Sequence, residues 1–82
     1  MRKIEVLGPG CARCKKTERV VKQTLDELGW QEGQEYSLEK IENPNDIAGR
    51  GILMTPGVII DGQIFCVGKV PTQKEISEFL TK

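Results

Sequence analysis

The sequence predicts an α/β fold whose strands and helices follow the order β-α-β-α-β-β-α. Two observations carry this prediction. Apolar residues change from alternate spacing to helical spacing and back along the chain, and Asp61-Gly62 separates two short apolar runs as a hairpin turn does. We therefore expect the first two strands to be parallel and the last two to form an antiparallel hairpin on the same sheet.

A short strand followed by a long amphipathic helix is predicted at the start of the chain. The strand covers residues 3–7 and ends at Gly8-Pro9-Gly10, a segment that cannot continue it. In the helix, apolar residues recur at helical spacing, and Gly29 provides a C-terminal stop. These apolar positions are Val20, Val21, Leu25 and Leu28.

A second strand and a short helix follow. Tyr36, Leu38 and Ile41 predict a strand over residues 35–42. Asn43-Pro44 then predicts a helix start, because asparagine caps free N–H groups and proline is tolerated at the first helical position. We expect this helix to end near residues 49–51.

The remaining elements are a hairpin and a terminal helix. Gly57–Ile60 and Gln63–Val67 flank the turn and predict its two strands. Thr72 and Glu75 have the spacing of a capping box, which predicts the start of the helix. Its apolar residues at helical spacing are Ile76, Phe79 and Leu80.

Composition predicts a single small domain over residues 1–82. The 12 basic residues balance the 12 acidic ones without a basic stripe, which argues against nucleic acid or an anionic membrane as the main partner. The apolar runs are far too short to span a membrane. Three cysteines are too few and too uneven for a secreted disulfide scaffold, so we expect a cytoplasmic protein with a protein partner.

Cys11 and Cys14 lie where the first strand gives way to the long helix. Thiols at positions i and i+3 of a helical turn lie on one face, so their sulfur atoms can reach each other. Free N–H groups, the helix dipole and the nearby Arg13 are expected to stabilise the Cys11 thiolate. The chain has no histidine to activate a thiol. In a reducing compartment this pair predicts redox chemistry or metal binding.

With this cysteine pair and with Thr55-Pro56 ahead of the hairpin, the sequence resembles the small, glutaredoxin-sized members of the thioredoxin family. The resemblance spans nearly the whole chain and implies a thioredoxin-like fold, with a four-stranded mixed sheet and helices on both faces. In this family the proline that matches Pro56 is cis and faces the disulfide. The residue that matches Thr55 offers its backbone to an extended substrate peptide.

The resemblance implies a thioredoxin-like thiol-disulfide oxidoreductase that reduces protein disulfides and serves as an electron carrier. As a hypothesis, the Cys11 thiolate attacks a substrate disulfide and Cys14 resolves the mixed disulfide. The implied partners are disulfide-containing client proteins and a thioredoxin reductase-type electron donor. We expect a monomer with no cofactor and no metal.

Two departures from the family pattern bear on the substrate and the electron donor. Thioredoxins usually have an aromatic residue before the first active-site cysteine and Gly-Pro between the pair, whereas here Gly10 precedes Cys11 and Ala12-Arg13 fills the gap. Glutaredoxins that use glutathione commonly have an acidic residue after a Gly-Gly segment, whereas here Gly68 is followed by Lys69. The Lys69 departure favours a dedicated reductase over glutathione as the electron donor.

Glu5 and Cys66 each have two interpretations. Glu5 stands six residues before Cys11, where thioredoxins place a buried acid that assists proton transfer. Its alternation with Ile4 and Val6 instead favours a solvated strand face, and that is our expectation. We expect Cys66 to be an inert, buried apolar residue, the alternatives being a third redox thiol or a metal ligand.

A metal-binding module, such as a small copper chaperone, is the alternative class. Such domains also begin with a strand, a glycine-containing turn and Cys-x-x-Cys at the head of a helix, and soft thiolates suit Cu(I). They follow the order β-α-β-β-α-β and end in a strand, whereas this sequence predicts a terminal helix.

Overall fold

The structure is a computed structural model that describes residues 2–10 and 12–81. Its elements are β1 (Arg2–Leu7), α1 (Ala12–Glu27), β2 (Tyr36–Ile41), α2 (Pro44–Gly49), β3 (Gly57–Ile60), β4 (Gln63–Val67) and α3 (Gln73–Leu80). The predicted order of strands and helices is therefore confirmed.

The four strands form one mixed sheet in the order β2-β1-β3-β4. β1 is parallel to β2 and antiparallel to β3, and β3 forms the predicted antiparallel hairpin with β4. Because β1 lies inside the sheet, the loop that follows it leaves the sheet from the middle, at the C-terminal end of β1. The residues between β1 and α1, which lead into the Cys-x-x-Cys motif, therefore follow a strand that is hydrogen-bonded on both sides.

The helices lie on both faces of the sheet. One face carries α1 and α3, whose Leu25 and Ile76 pack with Ile4 of β1. On the opposite face, Ile47 of α2 packs with Leu7 of β1 and other aliphatic residues. Consecutive residues of a strand point to opposite faces, so β1 supplies side chains to both clusters. Both faces of the sheet are thus covered, as the resemblance implies.

An irregularity interrupts the pairing of β4 with β3. Val58 pairs with Cys66, but Ile59 pairs with Ile64, so Phe65 is an extra residue on β4. Such a bulge changes the alternation of side chains. As a result the adjacent Phe65 and Cys66 both pack in the cluster beneath α1 and α3.

The two C-terminal helices begin at the predicted caps. The Asn43 side chain accepts a hydrogen bond from the Asn45 N–H at the start of α2. At α3, the Thr72 hydroxyl accepts from the Glu75 N–H and the Glu75 carboxylate accepts from the Thr72 N–H, which confirms the capping box. Within the described residues, no helix combines the length and the apolar character that crossing a membrane requires.

Candidate functional site

Cys14 lies in the first turn of α1 and is only 5% exposed. Its sulfur atom packs directly against Gly8, so that a Cβ atom added to Gly8 would overlap Cys14 Sγ and lie 2.9 Å from Cys14 Cβ. The same Cβ would lie 3.8 Å from Cβ of Thr55. The Cys14 side chain and Thr55 therefore both lie close to Gly8. The predicted nucleophile, Cys11, lies outside the described residues.

The bond between Thr55 and Pro56 is cis, as the resemblance implies. Pro56 is buried and Thr55 is half-buried. The carbonyl of Pro56 accepts a hydrogen bond of 2.8 Å from the Gly68 N–H, which attaches this segment to the loop after β4. The structure thus brings Thr55 and the Cys14 turn to the same end of the sheet.

Arg13 is exposed at the start of α1 and reaches the loop after β4. One of its guanidinium nitrogens donates a hydrogen bond of 3.0 Å to the Gly68 carbonyl. Met54 packs over the same glycine, at 3.3 Å from the position that a Cβ atom would occupy. The φ angle of Gly68 is +73°, which favours glycine. Arg13 therefore connects the cysteine motif to the segment that contains Thr55.

Basic side chains also border the Cys14 turn. Lys15 and Lys40 line a recess of about 10 Å³ together with Gly8 and Cys14. Lys40 lies on β2 beside Val6 and forms an ion pair of 3.3 Å with Glu18 of α1. Sequence analysis missed Lys40, although a parallel pairing of the first two strands brings residues of the second strand to this end of the sheet.

Glu5 is buried, at 6% exposure, and the expectation of a solvated strand face was wrong. Alternation does place Glu5 opposite Ile4 and Val6, but α2 covers that second face. Its carboxylate accepts a hydrogen bond of 2.7 Å from Nε of Arg50, a residue 45 positions away at the C-terminal end of α2. This hydrogen bond is the main cause that raises the pKa of Arg50 above its ordinary value. The buried carboxylate is therefore matched by a charged partner.

Cys66 is a buried member of the cluster beneath α1 and α3, as expected. Burial raises the pKa of its thiol, outweighing the opposing effects of the Lys69 charge and a hydrogen bond from the Val58 backbone. Its sulfur lies 3.8 Å from the Lys69 carbonyl, to which the thiol can donate. Both features favour the protonated, unreactive form of Cys66.

An apolar groove of about 260 Å³ runs beside the site and was not predicted from the sequence. Pro9 and Thr55 form its end nearest the cysteine motif, and residues of α2 and the following loop form the rest. The groove is lined by Pro9, Pro44, Ile47, Ala48, Ile52, Leu53 and Thr55. Leu53 is 88% exposed and Met54 is 63% exposed. The apolar residues 52–54 directly before Thr55-Pro56 are the signal that could have indicated this surface.

These features define a class of protein: a small α/β protein of thioredoxin-like fold, with a helix-start thiol and a cis-proline segment at one end of its sheet. A family model described as a thioredoxin domain matches residues 2–81. The chain is 32% identical over 81 residues to a protein named thioredoxin from Methanothermobacter thermautotrophicus, covering 99% of this chain and all of that relative. It is 36% identical over 77 residues to a thioredoxin from Methanocaldococcus jannaschii, covering 94% of this chain and 84% of the relative.

The chain therefore belongs to the thioredoxin family, and its function is a thioredoxin-like redox function of the oxidoreductase type.

Proposed function

We propose that this protein is a thiol-disulfide oxidoreductase that reduces protein disulfides with Cys11 and Cys14. The observation that most supports the proposal is the position of the Cys14 thiol in the first turn of α1, beside Gly8 and near Thr55, whose Cβ lies 3.8 Å from the position of a Cβ atom added to Gly8. A client disulfide held along Thr55 would then lie beside the cysteine pair. The departure from the family motif at Ala12-Arg13 leaves both thiols in place.

The proposed reaction proceeds in two exchanges. The Cys11 thiolate attacks one sulfur of the client disulfide, forming a mixed disulfide and releasing the other client sulfur as a thiolate, which takes a proton from solvent. The Cys14 thiolate then attacks the Cys11 sulfur, which releases the second client thiolate and forms the Cys11–Cys14 disulfide. The client gains two electrons and the protein loses two. A thioredoxin reductase-type donor would return them.

The client would bind along the cis-proline segment. In this proposal the backbone of Thr55 and the buried Pro56 hold an extended client segment, and the apolar groove accepts a neighbouring client side chain. Leu53 and Met54 offer exposed apolar area on the same side. In this proposal the protein acts as a monomer in the cytoplasm, and the uneven count of three cysteines fits a reducing compartment.

Glu5 is the proposed proton-transfer residue, acting when the Cys14 thiol must lose its proton. Its burial supports this role, whereas its ion pair with Arg50 ties the carboxylate to the opposite side of the sheet from α1. The variant Glu5→Gln separates the two functions. Slower release of reduced client at unchanged client affinity supports proton transfer, and unchanged turnover leaves Glu5 only its structural ion pair.

The first experiment is the midpoint potential. The protein is equilibrated in dithiothreitol buffers of varied ratio, and its free thiols are alkylated and located by mass spectrometry. We expect a reversible two-electron couple confined to Cys11 and Cys14, abolished by Cys11→Ser or Cys14→Ser and retained in the matched control Cys66→Ala. Absence of that couple, together with tight Cu(I) binding, would replace the redox proposal with a metal carrier.

Arg13 is the proposed thiolate-stabilising residue. Reversal of its charge in Arg13→Glu should slow alkylation of Cys11 near neutral pH, because a negative charge beside the first turn disfavours a thiolate. The matched control is Arg19→Glu, an exposed charge reversal further along the same helix. Equal alkylation rates for wild type and Arg13→Glu would restrict Arg13 to its hydrogen bond with Gly68.

A further inference from the structure

We propose that Gly8 is a positioning residue for the resolving step, because its missing side chain leaves the space that the Cys14 sulfur occupies. This inference rests on the proposed dithiol mechanism and adds to it a residue outside the Cys-x-x-Cys motif. The evidence is the overlap between Cys14 Sγ and the Cβ atom that any other residue would place on Gly8.

Backbone conformation does not account for this glycine. Gly10, two residues later, has a φ angle of +92°, where glycine is favoured for conformational reasons. Gly8 lies outside that left-handed region, so its backbone accepts an L-residue. The obstacle to a side chain at Gly8 is therefore the Cys14 side chain itself.

Gly8 is also fixed in place. Its N–H donates a hydrogen bond of 2.9 Å to the Ile41 carbonyl, which continues the pairing of β1 with β2. An added Cβ atom would lie 3.8 Å from Thr55 Cβ, which is ordinary van der Waals contact. A methyl group on Gly8 would therefore displace Cys14 or the first turn of α1 rather than the strand.

The displacement should act on the second exchange. Attack of Cys14 on the Cys11 sulfur requires the Cys14 sulfur to approach along the axis of the mixed disulfide, so a shift of its position slows this step. The first exchange depends on Cys11 and the client and does not use Cys14. Substitution of a residue with only a structural role would not slow the second exchange while leaving the first unchanged.

The test follows both exchanges with dithiobis(nitrobenzoate), an aromatic disulfide. Attack by Cys11 releases one coloured nitrothiobenzoate ion and leaves the other half on Cys11, and attack by Cys14 releases the second ion and forms the intramolecular disulfide. All variants carry Cys66→Ala, so that only the two active-site thiols report. Gly8→Ala is compared with Gly49→Ala, since a Cβ atom on Gly49 meets nothing within 4 Å.

We expect the first release to be unchanged in Gly8→Ala and the second to be about tenfold slower or more. Gly49→Ala should match the parent in both phases. An unchanged second phase in Gly8→Ala, or equal slowing of both phases, overturns the role of Gly8. A parent protein that releases only one ion instead contradicts the dithiol mechanism, so the two failures are distinguishable.

A second measurement covers the case in which Gly8→Ala folds poorly. The free energy of unfolding of the reduced protein is measured for Gly8→Ala in the presence of Cys14 and in the Cys14→Ala background. Removal of the Cys14 sulfur should recover part of the loss, because the overlap with Sγ is gone. Equal destabilisation in the two backgrounds overturns the assignment.

Discussion

Glu5 shows how a single residue on a strand can acquire a structural partner that no local pattern reveals. Its side chain must leave β1 on the face opposite Ile4, and on that face it meets Arg50. The Arg50 guanidinium also donates a hydrogen bond of 3.3 Å to the Asp46 carbonyl. The pair therefore connects the central strand to the end of α2, just before the loop that leads to Thr55.

Loss of the Arg50 charge should destabilise the protein more than loss of both charges. Arg50→Met leaves the Glu5 carboxylate buried without its partner, whereas Glu5→Gln with Arg50→Met removes both charges. Urea unfolding of the two variants measures the difference. The control is Arg2→Met, which breaks the more exposed pair between Arg2 and Asp61. An Arg50→Met variant as stable as the control would contradict the importance of the buried pair.

Cys66 should react much more slowly with iodoacetamide in the folded protein than in the unfolded protein. Burial raises the pKa of its thiol, so the reactive thiolate is scarce at neutral pH and becomes more abundant only as the pH rises. Time-resolved alkylation followed by mass spectrometry gives the rate in each state. In urea, where burial is lost, Cys66 should react as fast as an ordinary cysteine. Rapid labelling of Cys66 in the folded state would show that it is a third accessible thiol.

At the scale of elements, turns and caps explain why the boundaries of the fold could be predicted. Asn43, Thr72 and the Asp61-Gly62 turn satisfy backbone groups locally, so their effect is visible in a few neighbouring residues. The bulge in β4 could not be predicted in this way. Its extra residue, Phe65, packs edge-on against Phe79 of α3 with the ring centroids 5.1 Å apart, a contact between separate elements that no local pattern shows.

The capping box should make the stability of α3 depend on pH. Hydrogen bonds from the Thr72 backbone and from Lys69 lower the pKa of Glu75 below its ordinary value. The stability gained is therefore present above the ordinary pKa of a glutamate and is lost as the pH falls through the lowered value. Glu75→Gln should flatten this part of the pH profile of unfolding.

A companion variant tests the other half of the cap. Thr72→Ala should reduce the free energy of unfolding by about 1 kcal/mol at neutral pH, because the Glu75 N–H loses its acceptor. The control is Thr81→Ala, at the opposite end of the same helix. A neutral Thr72→Ala would show that the Thr72 hydroxyl adds nothing measurable to the stability of α3.

At the scale of the whole molecule, the two faces of the sheet are covered unequally. α1 and α3 pack on the larger cluster, which includes Val21, Leu25 and Leu80. The short α2 contributes the buried Ile47 to the smaller cluster. Because local stability follows buried apolar contact, the molecule should open first on the α2 side.

Amide hydrogen exchange should therefore show different degrees of protection for the different strands and helices. The central strands β1 and β3 should exchange only with global unfolding, and α2 should exchange through local opening of lower free energy. Exchange measured across a range of denaturant concentrations distinguishes the two regimes. Equal protection of α2 and β1 would indicate that the small cluster opens together with the rest of the molecule.

The site was partly predictable for the same physical reason as the fold. Cys11, Cys14 and Thr55-Pro56 stand in short motifs, so they could be named as candidate site residues before any contact was known. The contacts around them depend on the folded chain: Arg13 with Gly68 and Glu5 with Arg50 join distant segments, and Gly8 meets Cys14 across the turn between β1 and α1. Gly8 is the clearest case, because sequence analysis assigned it only to a turn that ends a strand.

The bulge in β4 also affects how the molecule meets other copies of itself. β4 is an edge strand, and its Ile64 and Val67 are among the exposed apolar side chains. A flat, regular edge is a template on which further strands can add and begin aggregation. The extra residue interrupts the regular pairing of β4, and the half-buried Phe65 packs against the cluster beneath α1 and α3, so this edge offers no long regular ladder. The same irregularity that packs Phe65 against Phe79 thereby limits the addition of a further strand at this edge.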